Sequence, residues 1–142
     1  LLIGEGKNKN KIKLFTDTNK LSKNIKILSN VNNPYPYIKK SDIVLLTSIF
    51  EGLPNILLEG ICFKKLIISS DCATGPKEIL DNGKGGLLFK KSSVDDLSKK
   101  LLSLKKNNFE NKINHSYKRL SRFDFSINLN KYLELIKNYL IQ

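Results

Sequence analysis

The chain has 142 residues, of which 40% are hydrophobic, so it suits one globular domain with its own core rather than several. No apolar run approaches the roughly 18 residues of a membrane-spanning helix and no secretory signal is visible, so we expect a cytoplasmic protein. Cys62 and Cys72 have no metal-binding spacing and are expected to be free thiols.

The formal net charge of +12 arises from 25 Lys and Arg against 13 Asp and Glu. Such a surface attracts nucleic acid, anionic lipid or a diphosphate substrate. Only Arg119 and Arg122 are arginines, whereas base recognition and bidentate phosphate contacts favour Arg. We therefore predict no nucleic-acid binding, and we expect at most a weak association with an anionic membrane surface.

Strands and helices are predicted to alternate over the first 90 residues. The predicted strands are residues 1–4, 25–28, 43–47, 66–69 and 86–89. The predicted helices are residues 9–21, with Ile12 and Phe15 inward, and residues 36–40, 54–63 and 76–80. This alternation predicts the α/β fold class, with a Rossmann-like, doubly wound parallel sheet flanked by helices and an edge strand at 86–89.

Beyond residue 90 the pattern is helical, and we expect residues 91–142 to pack on the same domain as a core of residues 1–90. Ser93 and Asp96 resemble a capping box. The face predicted to be buried on the first helix consists of Val94, Leu97, Leu101 and Leu104, and the last helix, from Ser126, has an apolar stripe of Leu129, Leu133, Ile136 and Leu140. His115, on a middle helix over 109–120, has no acid near it in sequence, so we interpret it as a surface or packing residue.

The turn between the strand at 43–47 and the next helix carries two carboxylates. Glu51 stands at the carboxyl end of the strand, and Glu59 faces out of the helix that is predicted to start at Pro54. Ligands of open α/β sheets bind at this edge, helix N-termini attract phosphate, and carboxylates accept hydrogen bonds from paired hydroxyls. A sugar nucleotide carries both groups; the plainer alternative is two solvated acids.

The segment from Glu51 to Glu59 resembles the E-x7-E signature of the two-domain retaining glycosyltransferases of group 1, in the form E-G-L-P-N-x-L-L-E. The resemblance continues through residues 33–42 and 69–80 and ends near 85–89. It implies the carboxyl-terminal, donor-binding half of a bacterial enzyme of the GT-B fold. The implied reaction transfers a hexosyl or N-acetylhexosaminyl group from a nucleoside diphosphate sugar, and we expect the nucleotide to be UDP. The implied acceptor is a glycan or a lipid-linked acceptor in cell-envelope glycan synthesis.

The resemblance also assigns roles to residues. Glu51 is implied to be catalytic and to contact the hydroxyls of the donor sugar, while Glu59 is matched to the ribose. The whole implied donor-binding set is Glu51, Gly52, Leu53, Pro54, Asn55, Ile56 and Glu59. A loop at Ser29, Asn30 and Val31 is implied to pack on the base. No D-x-D motif is visible and Gly4-Glu5-Gly6 is read as a strand-end turn, so no metal and no cofactor is expected.

Two departures from the family pattern qualify this reading. The basic pair that neutralises the leaving diphosphate would precede Leu1, as would the acceptor-binding domain, so we expect the isolated chain to be inactive. The turn at 63–66 also lacks the usual Gly and Pro. Two alternatives stay open: a non-catalytic sugar-nucleotide-binding module, and a related sugar-nucleotide epimerase.

Overall fold

The computed structural model describes residues 1–140, and the chain divides into two compact units, Leu1–Pro36 and Tyr37–Gln142. The predicted division into 1–90 and 91–142 stays a prediction, and residues 141 and 142 lie outside the described range. Among residues 1–140, no helix combines the length and the apolar content that crossing a membrane requires.

The first unit contains two very short parallel strands and one helix. Strand β1 (Leu2–Ile3) pairs with β2 (Ile27–Leu28), and α1 (Lys9–Thr18) lies between them in the chain. The expectation that Ile12 and Phe15 point inward is wrong, because their exposed fractions are 40% and 62%. Strand β1 is exposed and β2 is half-buried, and strands of two residues offer too little apolar surface to cover both side chains. The buried residue of α1 is Thr16.

The second unit is built on a three-stranded parallel sheet in the order β3-β4-β5. Helix α2 (Tyr35–Lys40) starts in the first unit and ends in the second. It is followed by β3 (Ile43–Leu46), α3 (Asn55–Cys62), β4 (Leu66–Ser70), α4 (Pro76–Ile79) and β5 (Leu87–Phe89). All five residues of β4 are buried, as expected for the central strand of a parallel sheet, and β5 is the predicted edge strand.

Both faces of this sheet are covered. On one face Val44 and Ile67 pack with Leu57 and Ile61 of α3. On the other face Leu66, Ile68 and Phe89 form a second cluster, onto which residues of the later helices pack. Alternate residues of β4 therefore enter different cores, which confirms the predicted doubly wound α/β class.

The C-terminal segment contains α5 (Val94–Ser103), α6 (Glu110–Lys118), a 3₁₀ helix (Leu120–Phe123) and α7 (Phe125–Leu140). Ser93 Oγ accepts a hydrogen bond from the Asp96 amide at 3.2 Å, as predicted. The Asp96 carboxylate, however, accepts from the Lys90 amide at 2.7 Å. The capping box is therefore half formed, and its acid ties the end of β5 to α5 instead.

Two predicted apolar faces are less buried than their spacing suggested. Leu97 and Leu104 pack on the second cluster, but Val94 is 76% exposed and Leu101 is 39% exposed, because β5 is only three residues long and covers little of α5. The predicted stripe on α7 exists as a pattern, yet no residue of α7 is buried.

The turn after α3 contains a residue other than glycine in a left-handed backbone conformation. Lys64 takes a positive φ of 52°, which costs a non-glycine residue about 1 kcal/mol. The turn is held by a hydrogen bond from the Lys65 amide to the Gly60 carbonyl at 3.0 Å. Lys64 Nζ also lies 4.6 Å from the ring centre of Tyr117, an attractive contact that offsets part of the cost.

Candidate functional site

The turn between β3 and α3 places the predicted site residues at the carboxyl end of β3. Pro54 is the N-cap of α3, with φ −73° and ψ 101°, so the helix begins at Asn55 and not at Pro54 as predicted. Proline still suits this place because its ring disfavours helical geometry at the preceding residue, Leu53, so the helix does not extend backwards. The N-terminus carries no side-chain cap, and within residues 1–140 the amides of Asn55 and Ile56 have no acceptor. Both N–H groups are therefore free to bind an anion.

Glu59 lies on the face of α3 that is turned away from the sheet. The buried residues of the helix are Leu57, Gly60 and Ile61, while Glu59 is half-buried and lies one turn after Asn55 and Ile56. Helical side chains lean towards the N-terminus of their helix. The Cα–Cβ bond of Glu59 therefore leans towards the end of α3 that carries the free amides.

Glu51 is half-buried and is held by its backbone. Its carbonyl oxygen accepts a hydrogen bond from Thr74 Oγ1 at 2.6 Å. We call residues 70–75, which end β4 and lead into α4, the β4–α4 segment. Thr74 belongs to this segment, so the turn that carries Glu51 is fastened to the neighbouring loop of the sheet.

The start of the same turn is fastened in the same way. The Ser48 carbonyl accepts from Ser70 Oγ at 2.5 Å and from Cys72 Sγ at 3.1 Å. Cys62 and Cys72 are free thiols, as predicted, and the buried Cys72 acts as a hydrogen-bond donor. The β4–α4 segment therefore holds two carbonyls of the turn, at Ser48 and Glu51.

Gly75 completes this contact because it has no side chain. A Cβ built on Gly75 would lie 2.0 Å from the Gly52 carbonyl oxygen and 2.7 Å from Pro54 Cδ, and the residue has a φ of +81°. Both facts require glycine here. The glycine and proline at the start of α4 are visible in the sequence as a signal of a special backbone position, but they do not predict that Thr74 and Gly75 contact the turn of Glu51.

The predicted base loop lies in the first unit, after β2. Lys9 Nζ donates to Ser29 Oγ at 2.7 Å and lies 2.8 Å from the Glu5 carboxylate, with Ser29 and Asn30 exposed and Val31 half-buried. The ammonium group of Lys9, and then the Ser29 hydroxyl, lower the pKa of Glu5. The Gly4-Glu5-Gly6 turn is the predicted strand-end turn, with the Gly4 amide bonded to the Leu28 carbonyl at 3.1 Å. In the second unit, the structure brings Glu51 to Glu59 together in one turn and helix.

A further cluster of charged groups surrounds Asp81. His115 is interpreted from the sequence as a surface or packing residue, but its Nε2 lies 2.8 Å from Asp81 Oδ2. Arg119 Nε lies 3.6 Å from the same oxygen. His115, followed by Arg119 and Lys84, holds the pKa of Asp81 below its usual value. In the part of the chain that the structure describes, no three acidic, His or Cys side chains form a group that could hold a metal ion; the expectation that no metal is needed stays a prediction.

The carboxyl edge of a parallel α/β sheet, where this free helix N-terminus and both carboxylates lie, is the edge at which open α/β domains bind their ligands. The chain belongs to the glycosyl transferases of group 1, because the model of that family matches residues 1–122. This confirms the family resemblance of the sequence.

Individual relatives agree with this assignment. The chain is 26% identical, over 122 residues, to the N-acetylgalactosamine-N,N'-diacetylbacillosaminyl-diphospho-undecaprenol 4-alpha-N-acetylgalactosaminyltransferase of Campylobacter jejuni, covering 86% of this chain and 33% of the relative. A crystal structure of a glycosyltransferase from Rickettsia africae superposes with a TM-score of 0.77 at 26% identity, covering 97% of this chain and 39% of that one.

Staphylococcus aureus TarM, crystallised with UDP, superposes with a TM-score of 0.82 at 23% identity, covering 94% of this chain and 28% of that one. This likeness confirms the fold, the GT-B architecture expected from the resemblance. The chain spans between 20% and 33% of the length of the first curated relatives that it matches.

Proposed function

We propose that this chain is the donor-binding part of a retaining glycosyltransferase and that it holds a nucleoside diphosphate sugar at the carboxyl edge of β3. One observation carries the proposal: the free N-terminus of α3 lies between Glu51 and Glu59, on a turn that a second loop holds in place. Phosphate, ribose and sugar each find a suitable group within nine residues of chain.

The roles follow from charge and position. When the glycosidic bond to the donor breaks, the diphosphate gains negative charge, which the amides of Asn55 and Ile56 and the dipole of α3 stabilise. Glu59 accepts hydrogen bonds from the ribose hydroxyls, and Glu51 from the sugar, along the backbone of Gly52, Leu53 and Pro54. The role in base binding that the resemblance implies for Ser29, Asn30 and Val31 stays a prediction. This chemistry needs neither a metal nor a cofactor, and the UDP bound by TarM supports a uridine nucleotide.

The proposed acceptor is supported by a relative and by the net charge of the chain. The Campylobacter relative is named for a diphospho-undecaprenol acceptor, which supports transfer of a hexosyl or N-acetylhexosaminyl group to a lipid-linked glycan at a membrane face. The net charge of +12 favours weak attraction to anionic lipid. Because the matched residues cover only 20% and 33% of two of the relatives, we propose that acceptor binding requires chain beyond these residues and that the isolated chain catalyses no transfer. The same observation favours the second candidate, a binding module without turnover.

Calorimetric titration with UDP tests the donor site directly. Glu59→Gln removes a charged acceptor and is expected to lower UDP affinity by roughly ten- to a hundredfold, equivalent to about 1.5–3 kcal/mol. Glu110→Gln, on an exposed position of α6, is the matched control and should bind as the wild type does. Equal UDP affinities for wild type and Glu59→Gln would remove Glu59 from the site.

Glu51→Gln separates the sugar contact from the nucleotide contact. UDP affinity should stay within about twofold of wild type, since Glu51 faces the sugar, and the affinity gained by adding the sugar should be lost. In a full-length enzyme the same variant should lower kcat strongly. A loss of UDP affinity as large as that of Glu59→Gln would contradict this division of roles.

A further inference from the structure

We call residues 47–54, which join β3 to α3 and in the proposed function hold the donor, the donor turn. The β4–α4 segment contacts the donor turn through groups that the proposed mechanism does not use. Thr74 Oγ1 donates to the Glu51 carbonyl, and Gly75 packs against the Gly52 carbonyl. The two carbonyls belong to consecutive peptide units, Glu51–Gly52 and Gly52–Leu53. What these contacts do depends on how each unit is oriented.

The direction of the second carbonyl can be read from two distances. From the Cβ position of Gly75, the Gly52 carbonyl oxygen is 2.0 Å away and its carbon 3.1 Å away. The difference is close to the full C=O bond length of about 1.23 Å. The carbonyl of Gly52 therefore points towards Gly75, and the carbonyl of Glu51 accepts a hydrogen bond from Thr74 Oγ1.

Because each peptide unit is planar, the direction of its carbonyl also determines the direction of the following amide. The peptide bonds of residues 1–140 are trans, and in a trans unit the C=O and the following N–H point in opposite directions. The N–H groups of Gly52 and Leu53 are consequently turned away from the β4–α4 segment. Both residues are exposed, and in the described part of the chain neither amide has an acceptor.

We infer that Thr74 and Gly75 are positioning residues that aim the amides of Gly52 and Leu53 as a pair of donors for the hydroxyls of the transferred sugar. The inference rests on the proposed function of the turn. It assigns the β4–α4 segment to recognition of the sugar and not of the nucleotide. A hydroxyl oxygen has two lone pairs and can therefore accept hydrogen bonds from two adjacent N–H groups.

The test compares Thr74→Val, which loses the donor at nearly constant shape, with Thr74→Ser, which retains it. Thr18→Val, at the exposed end of α1, is the matched control. The full chain is titrated with UDP, UDP-N-acetylglucosamine and UDP-galactose. Thr74→Val should weaken binding of the better UDP-sugar by about three- to tenfold, as for one lost hydrogen bond, and UDP binding by less than about twofold. Thr74→Ser and Thr18→Val should bind as wild type.

Amide NMR of the chain without ligand supplies a second measurement. Thr74→Val should shift the Gly52 amide resonance, because its peptide unit loses the hydrogen bond, while Thr74→Ser should not. An unmoved Gly52 resonance in Thr74→Val overturns the inference, whatever the binding results are.

The remaining outcomes separate the inference from the proposed function. Equal losses for UDP and UDP-sugar in Thr74→Val, or wild-type binding of both UDP-sugars no tighter than UDP, overturn the inference and leave the nucleotide site standing. Failure of the wild type to bind UDP overturns the proposed function and this inference with it.

Discussion

Helices α3 and α7 both have apolar residues three and four positions apart, but only α3 has residues that are buried. The eight residues of α3 bury Leu57, Gly60 and Ile61 against the sheet, whereas the sixteen residues Phe125–Leu140 of α7 include none that is buried. Apolar residues three and four apart show that a helix has an apolar face. They do not show that anything covers it, and coverage is what makes α3 a fixed support for Glu59.

Paired truncations are expected to give the largest difference between the two helices. Leu57→Ala removes a side chain with 0% exposure and should lower the free energy of unfolding by about 2–5 kcal/mol. Leu133→Ala removes one that is 45% exposed and should change it by less than about 0.5 kcal/mol. Urea unfolding of both variants measures this, and a similar cost for both would mean that α7 is covered in solution.

A methyl group at Gly60 tests how closely α3 must approach the sheet. The new Cβ would lie 2.8 Å from Ile67 Cδ1 and 2.9 Å from Val44 Cγ2, so Gly60→Ala is expected to cost about 1–3 kcal/mol. It should also weaken UDP binding, because it displaces the helix that carries Glu59. Gly6→Ala, where a Cβ meets nothing within 4 Å, is the control. A fully stable Gly60→Ala that binds UDP normally would show that the close packing is dispensable.

The smallest expected effect concerns α6, which an ion pair joins to the loop after α4. Asp81 has a lowered pKa, owing first to His115 and then to Arg119 and Lys84. A carboxyl whose pKa is lower in the folded state stabilises the fold above its unfolded pKa of about 3.9, and this contribution is lost as pH falls through the folded value. Wild type should therefore be more stable than Asp81→Asn at neutral pH, with the difference shrinking below about pH 4.

Urea unfolding across this pH range measures the difference. Asp42→Asn, at an exposed aspartate, provides the control and should show a weaker pH dependence. A gap between wild type and Asp81→Asn that is constant from pH 7 to about pH 3 would show that the carboxylate charge does not contribute.

Much of the donor turn was predictable because its determinants are local. The β-branched run of β3, the helix start beside Pro54 and the spacing of Glu51 and Glu59 all lie within one stretch of chain. Helix and strand positions follow from such short-range patterns. The errors occurred where exposure depends on a distant partner, as for Phe15 in α1 and Val94 in α5.

The sequence by itself determined the alternation of strands and helices, the buried character of β4 and the place of both glutamates around one helix start. Only the tertiary structure decided that Thr74 and Gly75 hold the donor turn, that Asp81 meets His115 across 34 positions, and that α7 is uncovered. The physical reason is the separation along the chain over which each interaction acts. Backbone preferences and periodicity act between near neighbours, whereas these contacts depend on how separate loops of one sheet edge and separate helices come to lie side by side.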